Sequence, residues 1–301
     1  MLLSKFLDPK NDFAFKRIFG TEKNQDILIH FINDIVGFEG DRAIETVQFL
    51  KTFQDPEVAS KKQSLVDVLC ADQAGRQYII EMQVAKTSGF EKRAQYYAAK
   101  AYGHQLNKGD DYALLKEVIF IAITDFEMFP KKANYFSTHV LLDQETYSHD
   151  LKDFSFTFME LPKFTKTLDQ LGSLREKWAY FFKHAEETRE EDMLQLAGGD
   201  EIIRKAYEEL NRFHWTKMEM DTYEQEEKRE RDARAILKQQ RIEGKAEGKA
   251  EGLVEGRVEG MLMERQTMVR QLLKKGLSVE EVANLTDLSI VEIEQFKENY
   301  S

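Results

Sequence analysis

Asp67, Glu81 and Gln83 are the residues of this chain whose types and spacing could do chemistry. Asp67 stands alone among apolar neighbours in Leu65-Val-Asp67-Val-Leu-Cys70, and Glu81 and Gln83 alternate with apolar residues in Tyr78-Ile-Ile-Glu81-Met-Gln83-Val84. Two short apolar runs around Gln73-Ala74-Gly75 predict a hairpin, with Gly75 in the left-handed position of a three-residue loop. Such a loop sets Asp67 opposite Glu81. The two-residue period puts Glu81 and Gln83 on one face, with Tyr78, Ile80, Met82 and Val84 on the other. A one-residue slip would part the two acids onto opposite faces. Ionised carboxylates about 4 Å apart, at an effective dielectric near 20, repel by roughly 4 kcal/mol. Either one of them is protonated or a cation lies between them. With oxygen ligands and no Cys or His cluster alongside, that cation would be Mg²⁺, or a similarly hard ion such as Mn²⁺ or Ca²⁺. It could polarise a phosphoryl oxygen and activate a water, and the Gln83 amide could orient either. Spacing alone leaves a plainer reading open, in which the strand carboxylates pair with a lysine.

The hairpin needs elements to hold it. Asp8-Pro9 predicts the start of a helix over Lys10–Phe19, with Asp8 as its cap. Thr21 predicts the cap of a second helix, whose apolar stripe Ile27, Leu28, Phe31, Ile32 and Ile35 ends at Gly37. Residues 43–53 read as a strand and Ser88–Leu106 as a helix. Val118–Ile123 reads as a central buried strand, because six apolar residues run without a break. Phe154-Ser-Phe-Thr-Phe158 alternates as a half-exposed strand does. These pieces predict an α/β or α+β core of four or five strands.

The ordered series of motifs resembles the PD-(D/E)XK nuclease superfamily and, within it, the recombination-promoting nuclease (Rpn) and transposase family. The resemblance rests on Asp8-Pro-Lys-Asn-Asp12-Phe-Ala-Phe-Lys-Arg-Ile-Phe19, Leu65-Val-Asp67-Val and Ile80-Glu-Met-Gln83. It continues through Arg93-Ala-Gln-Tyr-Tyr97, Gln105-Leu-Asn-Lys-Gly109 and Val118–Phe126, covering roughly residues 5–165. It implies an α/β fold with a mixed β-sheet flanked by helices, DNA as substrate, cleavage that depends on a divalent cation, and an association with recombination or mobile elements. By the same resemblance Asp67 and Glu81 are metal ligands and Gln83 takes the usual lysine position. Asp12 is an extra acidic group of the kind some members bring to the site. Gln83 is the departure, since a neutral amide supplies no positive charge and no general base, although glutamine does replace lysine in some of these nucleases.

Lys86, Arg93 and Lys100 follow the hairpin, and Arg93 and Lys100, seven apart, share a helix face from which they could meet phosphates. Tyr97, with its neighbour Tyr96, could orient a phosphate or stack on a base; solvated surface and core packing are the plain alternatives. The Lys61-Lys62 pair reads as a solvated loop. None of the six histidines makes a ligand or nucleophile pattern, Gly244-Lys-Ala-Glu-Gly248-Lys lacks the spacing of a phosphate-binding loop, and Cys70, between apolar neighbours, reads as an inert core thiol.

The 301 residues, 42% hydrophobic and 32% charged, fit a folded protein of more than one typical core and exclude a disordered or collagen-like chain. One cysteine excludes a disulfide framework and a multi-Cys zinc site. No run approaches the roughly 20 apolar residues of a membrane span. The start lacks a basic region followed by a full apolar one, so a cytoplasmic address is expected. The net charge of −11 would argue against a nucleic-acid partner if it were spread evenly, but residues 1–135 hold 18 Lys and Arg against 19 Asp and Glu, and residues 136–301 hold 25 against 35. The acidity therefore lies mostly in the second half and leaves the first free to bind DNA. No proline follows Pro162, which predicts a mainly helical extension. The expected organisation is a nuclease core over 1–165, a helical region over 166–220, and a charged, glycine-repeat helix with a C-terminal helical hairpin over 221–301. Residues 243–260 repeat Glu-Gly-x-x. Five helical glycines cost on the order of 5 kcal/mol relative to alanine, and close helix–helix approach along the glycine line, with the same segment of a second chain, would offset that, giving a homo-oligomer, in the simplest case a dimer; a frayed linker is the alternative. Gly276–Ile293 resembles a helix-turn-helix capped by Ser278 and Ser289. Its second helix is acidic and apolar, so packing rather than base reading is expected. The leading reading is a Mg²⁺-dependent DNA endonuclease. Its rivals are a non-catalytic scaffold or DNA-associated adaptor of the same fold, and a nuclease held in check by its acidic tail.

Overall fold

The computed structural model describes residues 4–51 and 66–298, so Lys61-Lys62 and the end of the strand expected over 43–53 lie outside the described residues. The chain divides into two compact units, Met1–Glu230 and Arg231–Ser301.

The first unit is built on a six-stranded mixed sheet of order β1-β2-β3-β4-β6-β5. Its strands are β1 (Val47–Phe49), β2 (Val68–Asp72), β3 (Gln77–Gln83), β4 (Val118–Thr124), β5 (Phe136–Val140) and β6 (Phe154–Glu160). β1, β2 and β3 are antiparallel neighbours, β3, β4 and β6 are parallel, and β5 closes the far edge antiparallel to β6. The unbroken apolar run of β4 is buried at every position, as a strand flanked by parallel partners and covered on both faces requires.

Helices α1 (Asp12–Phe19), α2 (Gln25–Val36), α4 (Leu174–His184), α5 (Glu190–Ala197) and α6 (Glu201–Glu209) share one large core with one sheet face. Phe15, Phe19, Phe31, Trp178 and Phe182 form its aromatic centre, with ring centroids 4.9–6.1 Å apart. On the other face α3 (Phe90–Gly103) lays Phe90, Ala94, Ala98 and Ala101 against a second core that holds Ile79, Phe120, Ala122 and Phe158. The small alanines let α3 sit close to the sheet beside the hairpin.

Three local expectations are corrected. The cap of α1 is Asn11, whose side chain accepts from the Phe13 and Ala14 N–H groups, while Asp8 closes the turn before it by accepting from Lys10 N–H. Among the described residues six strands form rather than four or five, because the short, half-polar segment Phe136-Ser-Thr-His-Val140 pairs as an edge. β6 lies inside the sheet, and although Phe154, Ser155 and Phe156 are half-buried, Thr157 is buried and its hydroxyl meets that of Thr138 on β5 at 3.2 Å, so a polar position is satisfied without water.

α7 (Lys217–Lys274) contributes Tyr223 to the first unit, where it packs edge-on to Trp215. In the second unit its last turns pack with α8 (Val279–Thr286) and α9 (Ile290–Glu298) around Val269, Val282, Leu288 and Ile293. Ser278 and Glu281 make a reciprocal capping box, and Ser289 and Glu292 pair in the same way.

Candidate active site

The turn between β2 and β3 sets the geometry of the site. Gly75 adopts φ 82°, and its N–H donates to the Asp72 carbonyl. The Asp72 carboxylate accepts from the Ala74 and Arg76 N–H groups, from Arg76 Nε at 2.6 Å and from the Tyr78 hydroxyl at 2.9 Å. A turn fastened at so many points holds one register, Val68 opposite Ile80 and Leu69 opposite Ile79. Continued by one residue, that register carries Asp67 to Glu81. Asp67 lies just before β2, where its Oδ2 accepts from the Met82 N–H at 2.9 Å.

Glu81 is 3% exposed. Its Oε2 accepts from Gln83 Nε2 at 2.9 Å, and Gln83 Oε1 in turn accepts from Arg93 Nη2 at 2.7 Å. Gln83 is thus clamped between an acid and a guanidinium, with both ends of its amide oriented. Glu81 Oε1 is buried and has no hydrogen-bond partner. On the other side Lys16, one helical turn after Asp12, stands 2.7 Å from Asp12 and 3.6 Å from Asp67. Asp12 therefore reaches the site through Lys16.

Burial raises the pKa of Asp67, against the pull of the Met82 N–H and Lys16. Burial and then the Asp67 charge raise that of Glu81, against the pull of Arg93. Burial works against the Lys16 charge, but Asp12 and Asp67 outweigh it and raise the ammonium pKa. Both acids thus resist ionisation chiefly because they are buried, with the Asp67 charge a second cause at Glu81. Among the described residues no group of three or more His, Cys, Asp and Glu could hold a metal ion. The pair nevertheless fits a hard cation: Mg²⁺ is commonly held by one or two carboxylates and completes its shell with water and phosphate oxygens, and the unsatisfied Glu81 Oε1 is a free ligand atom.

The remaining candidates spread along α3 and the loop before it. Tyr97 is half buried and feels both Arg93 and Glu81, with burial the main cause of its raised pKa. Tyr96 is exposed, whereas Tyr97, whose ring lies 5.7 Å away, packs against the second core, so core packing holds for one of the two. Lys86 donates to the Glu127 carbonyl, and Lys100 lies 6.0 Å from the Tyr96 ring. Of these cations Arg93 is the one tied to Gln83. Cys70 is buried with its pKa pushed up to about 12 by burial, an inert thiol as its neighbours implied. Sequence reasoning missed Lys16; the only signal was its place four residues after Asp12. It also missed Glu160, buried across β4 from Gln83, which pairs with Lys163 at 2.7 Å and accepts from the Met128 and Phe129 N–H groups, fixing the loop after β4.

No curated protein and no solved structure matched the chain. Among the described residues no helix is long and apolar enough to cross a membrane. The sequence model of one family matches residues 9–240, a span that holds the whole sheet, the acidic hairpin and the clamped glutamine. With that match, and the mixed sheet that carries Asp67 and Glu81 face to face, the chain belongs to the PD-(D/E)XK nuclease family transposases.

Proposed function

We propose that this protein is a divalent-cation-dependent DNA endonuclease, acting in recombination or on mobile elements, with its centre on the β2–β3 hairpin. The observation that carries the reading is the buried Glu81 carboxylate, one oxygen unpartnered, set against Asp67. Asp67 and Glu81 would hold the ion, preferably Mg²⁺. When bound, it would polarise the scissile phosphate and lower the pKa of a water. The other roles fall to the chain itself. Gln83, held by Arg93, presents its amide to a water or a phosphate oxygen. Arg93 and Tyr97 lie where the phosphate backbone would pass, and Lys86 and Lys100 extend that cationic side. Lys16 supplies, from α1, the positive charge that Gln83 lacks.

The test is nicking of supercoiled plasmid in Mg²⁺, Mn²⁺ or EDTA by the wild type and by Asp67→Asn and Glu81→Gln. Cleavage should need the cation and fall by at least 10²-fold in either variant, the size of loss expected when a group that stabilises the transition state is removed. No cutting by folded wild type with either ion would overturn the reading in favour of a nuclease-fold adaptor. Cutting that survives Asp67→Asn would place the centre elsewhere.

A further inference from the structure

A cleft lies on the same face of the sheet as Glu81, beyond α3. The register sets Glu81, Ala122 and Phe158 side by side on β3, β4 and β6, with their side chains on one face. α3 lies over β4 and so divides that face. The acidic hairpin is on one side of the helix; the outer part of β6 and the edge strand β5 are on the other. Among the described residues no second helix joins the core on this face, and Phe156 and His139 are left half-buried. Together with Phe158 and with Phe129, from the loop after β4, they line an open cleft of about 370 Å³, which α3 borders with Glu91 and Gln95. A volume of that order suits a small ligand.

The rings of this cleft are arranged for a flat guest. His139 lies 4.8 Å from Phe129 at an interplanar angle of 32°, and Phe158 stands edge-on to both, at 5.2 and 5.5 Å. Burial, and then the Lys132 charge, lower the His139 pKa, so its imidazole is neutral at pH 7 and stacks as an aromatic ring. Cations mark the way from the hairpin. Lys86, three residues after Gln83, donates to the Glu127 carbonyl at 3.0 Å. Beyond Phe129 the exposed Lys132 places its Nζ 4.9 Å from the Phe129 ring and 3.1 Å from His139 Nε2. Rings beside an ammonium group match the two parts of a nucleotide, a flat base and its phosphate.

We infer that this cleft receives one unpaired nucleobase of the DNA strand bound at the hairpin. The inference rests on the nuclease reading and names its substrate, DNA with an unpaired base close to the cut. A base inside a duplex has both faces covered by its neighbours and cannot enter, whereas one in a bulge, gap or single strand gains stacking when it does. Neighbouring strands are about 4.8 Å apart, so Phe158 stands about 10 Å from Glu81. That is about three nucleotide steps at roughly 3.4 Å each, which sets the distance between the unpaired base and the scissile phosphate. The Glu91 carboxylate only accepts hydrogen bonds, and so favours bases whose edge carries an amino group.

2-Aminopurine, an adenine analogue whose fluorescence falls when it stacks, reports entry. Two duplexes differ only in whether the probe is paired or bulged, and the full chain binds each in Ca²⁺ and in EDTA. Wild type should quench the bulged probe and bind its duplex roughly 10-fold more tightly than the paired one. His139→Leu/Phe156→Leu, which keeps the apolar bulk but removes two rings, should bring that ratio close to one. Lys132→Ala, at an exposed position that leaves the core intact, should lower it as well. Equal affinity for the two duplexes (none for either included), an unquenched bulged probe, or a ratio that neither variant moves would overturn the inference. So would quenching of the free 2-aminopurine nucleotide without preference between the duplexes, which would make the cleft a mononucleotide site. The expected binding with no cutting in Mg²⁺ would sink the nuclease reading alone, so the two fail separately.

Discussion

On the proposed nuclease reading, Lys16 is the residue on which the chemistry of the site would turn, because the strand position that would carry a lysine carries Gln83 instead. Its ammonium already faces Asp67 at 3.6 Å and is anchored by Asp12. Lys16→Ala should lower single-turnover cleavage roughly 10²-fold, with DNA affinity measured in Ca²⁺ nearly unchanged. A cleavage rate equal to wild type would reduce Lys16 to a counter-ion. The acids make a second prediction, for the metal-free protein. Both carboxyls are raised, Asp67 to about 6 and Glu81 to about 8, so the folded chain keeps protons that the unfolded chain has released near pH 4. Their contribution to stability is complete below about pH 4 and is lost as pH rises through those values. In EDTA, melting curves between pH 5.5 and 8.5 should show wild type falling more steeply with pH than Glu81→Gln. Parallel curves would mean the pair is not strained. Asp67, Glu81 and their facing register were legible in the sequence because a three-residue loop leaves few pairings open. Lys16 was not, since its contact joins a helix to a strand 51 residues later and follows no local period.

At the scale of elements, the site depends on a turn whose conformation only glycine adopts freely. Gly75 has φ 82°, and a Cβ there would also come within 3.3 Å of the Lys116 side chain. Gly75→Ala should cost about 1 kcal/mol or more, read as a lower denaturation midpoint with an unchanged slope. A variant as stable as wild type would show that the turn tolerates a side chain. Trp178→Ala in α4 should cost about 3–5 kcal/mol, because it opens a cavity at the aromatic centre. What the sequence showed of these elements followed from strong periodicity: the stripe of α2, the continuous run of β4 and the alternation of β3. What it hid were satisfactions made at a distance. Thr157 looked solvent-facing because its partner, Thr138, lies on a strand too short and polar to read as one. Asp8 looked like a cap because proline followed it, whereas Asn11 has the carbonyl that actually reaches the free N–H groups of α1.

For the whole molecule, the boundary of the first unit lies beyond its last sheet-covering helix. Tyr223 is buried; its hydroxyl accepts from the Asp8 N–H at 3.1 Å, and its carbonyl accepts from Asn11 Nδ2 at 3.2 Å. Arg17, the neighbour of Lys16 on α1, pairs with Glu219. A chain ending at Glu230 should therefore melt in one cooperative transition and keep the wild-type response to Mg²⁺, while one ending at Glu219 should melt lower and lose cleavage. Equal behaviour of the two truncations would show that α7 adds nothing to the first unit. A rise in cleavage on removing 231–301 would support restraint by the acidic tail. The fastening of α1 by Tyr223 also has a meaning in time. During translation the segment bearing Asp12 and Lys16 is made first and the segment that secures it is made roughly 200 residues later, at a pace of about 5–20 residues per second. On the nuclease reading, the roughly 140 residues between Glu81 and Tyr223 take on the order of 7 to 28 seconds to make, and for that time the nascent chain holds both acids without the fastened helix that completes their setting.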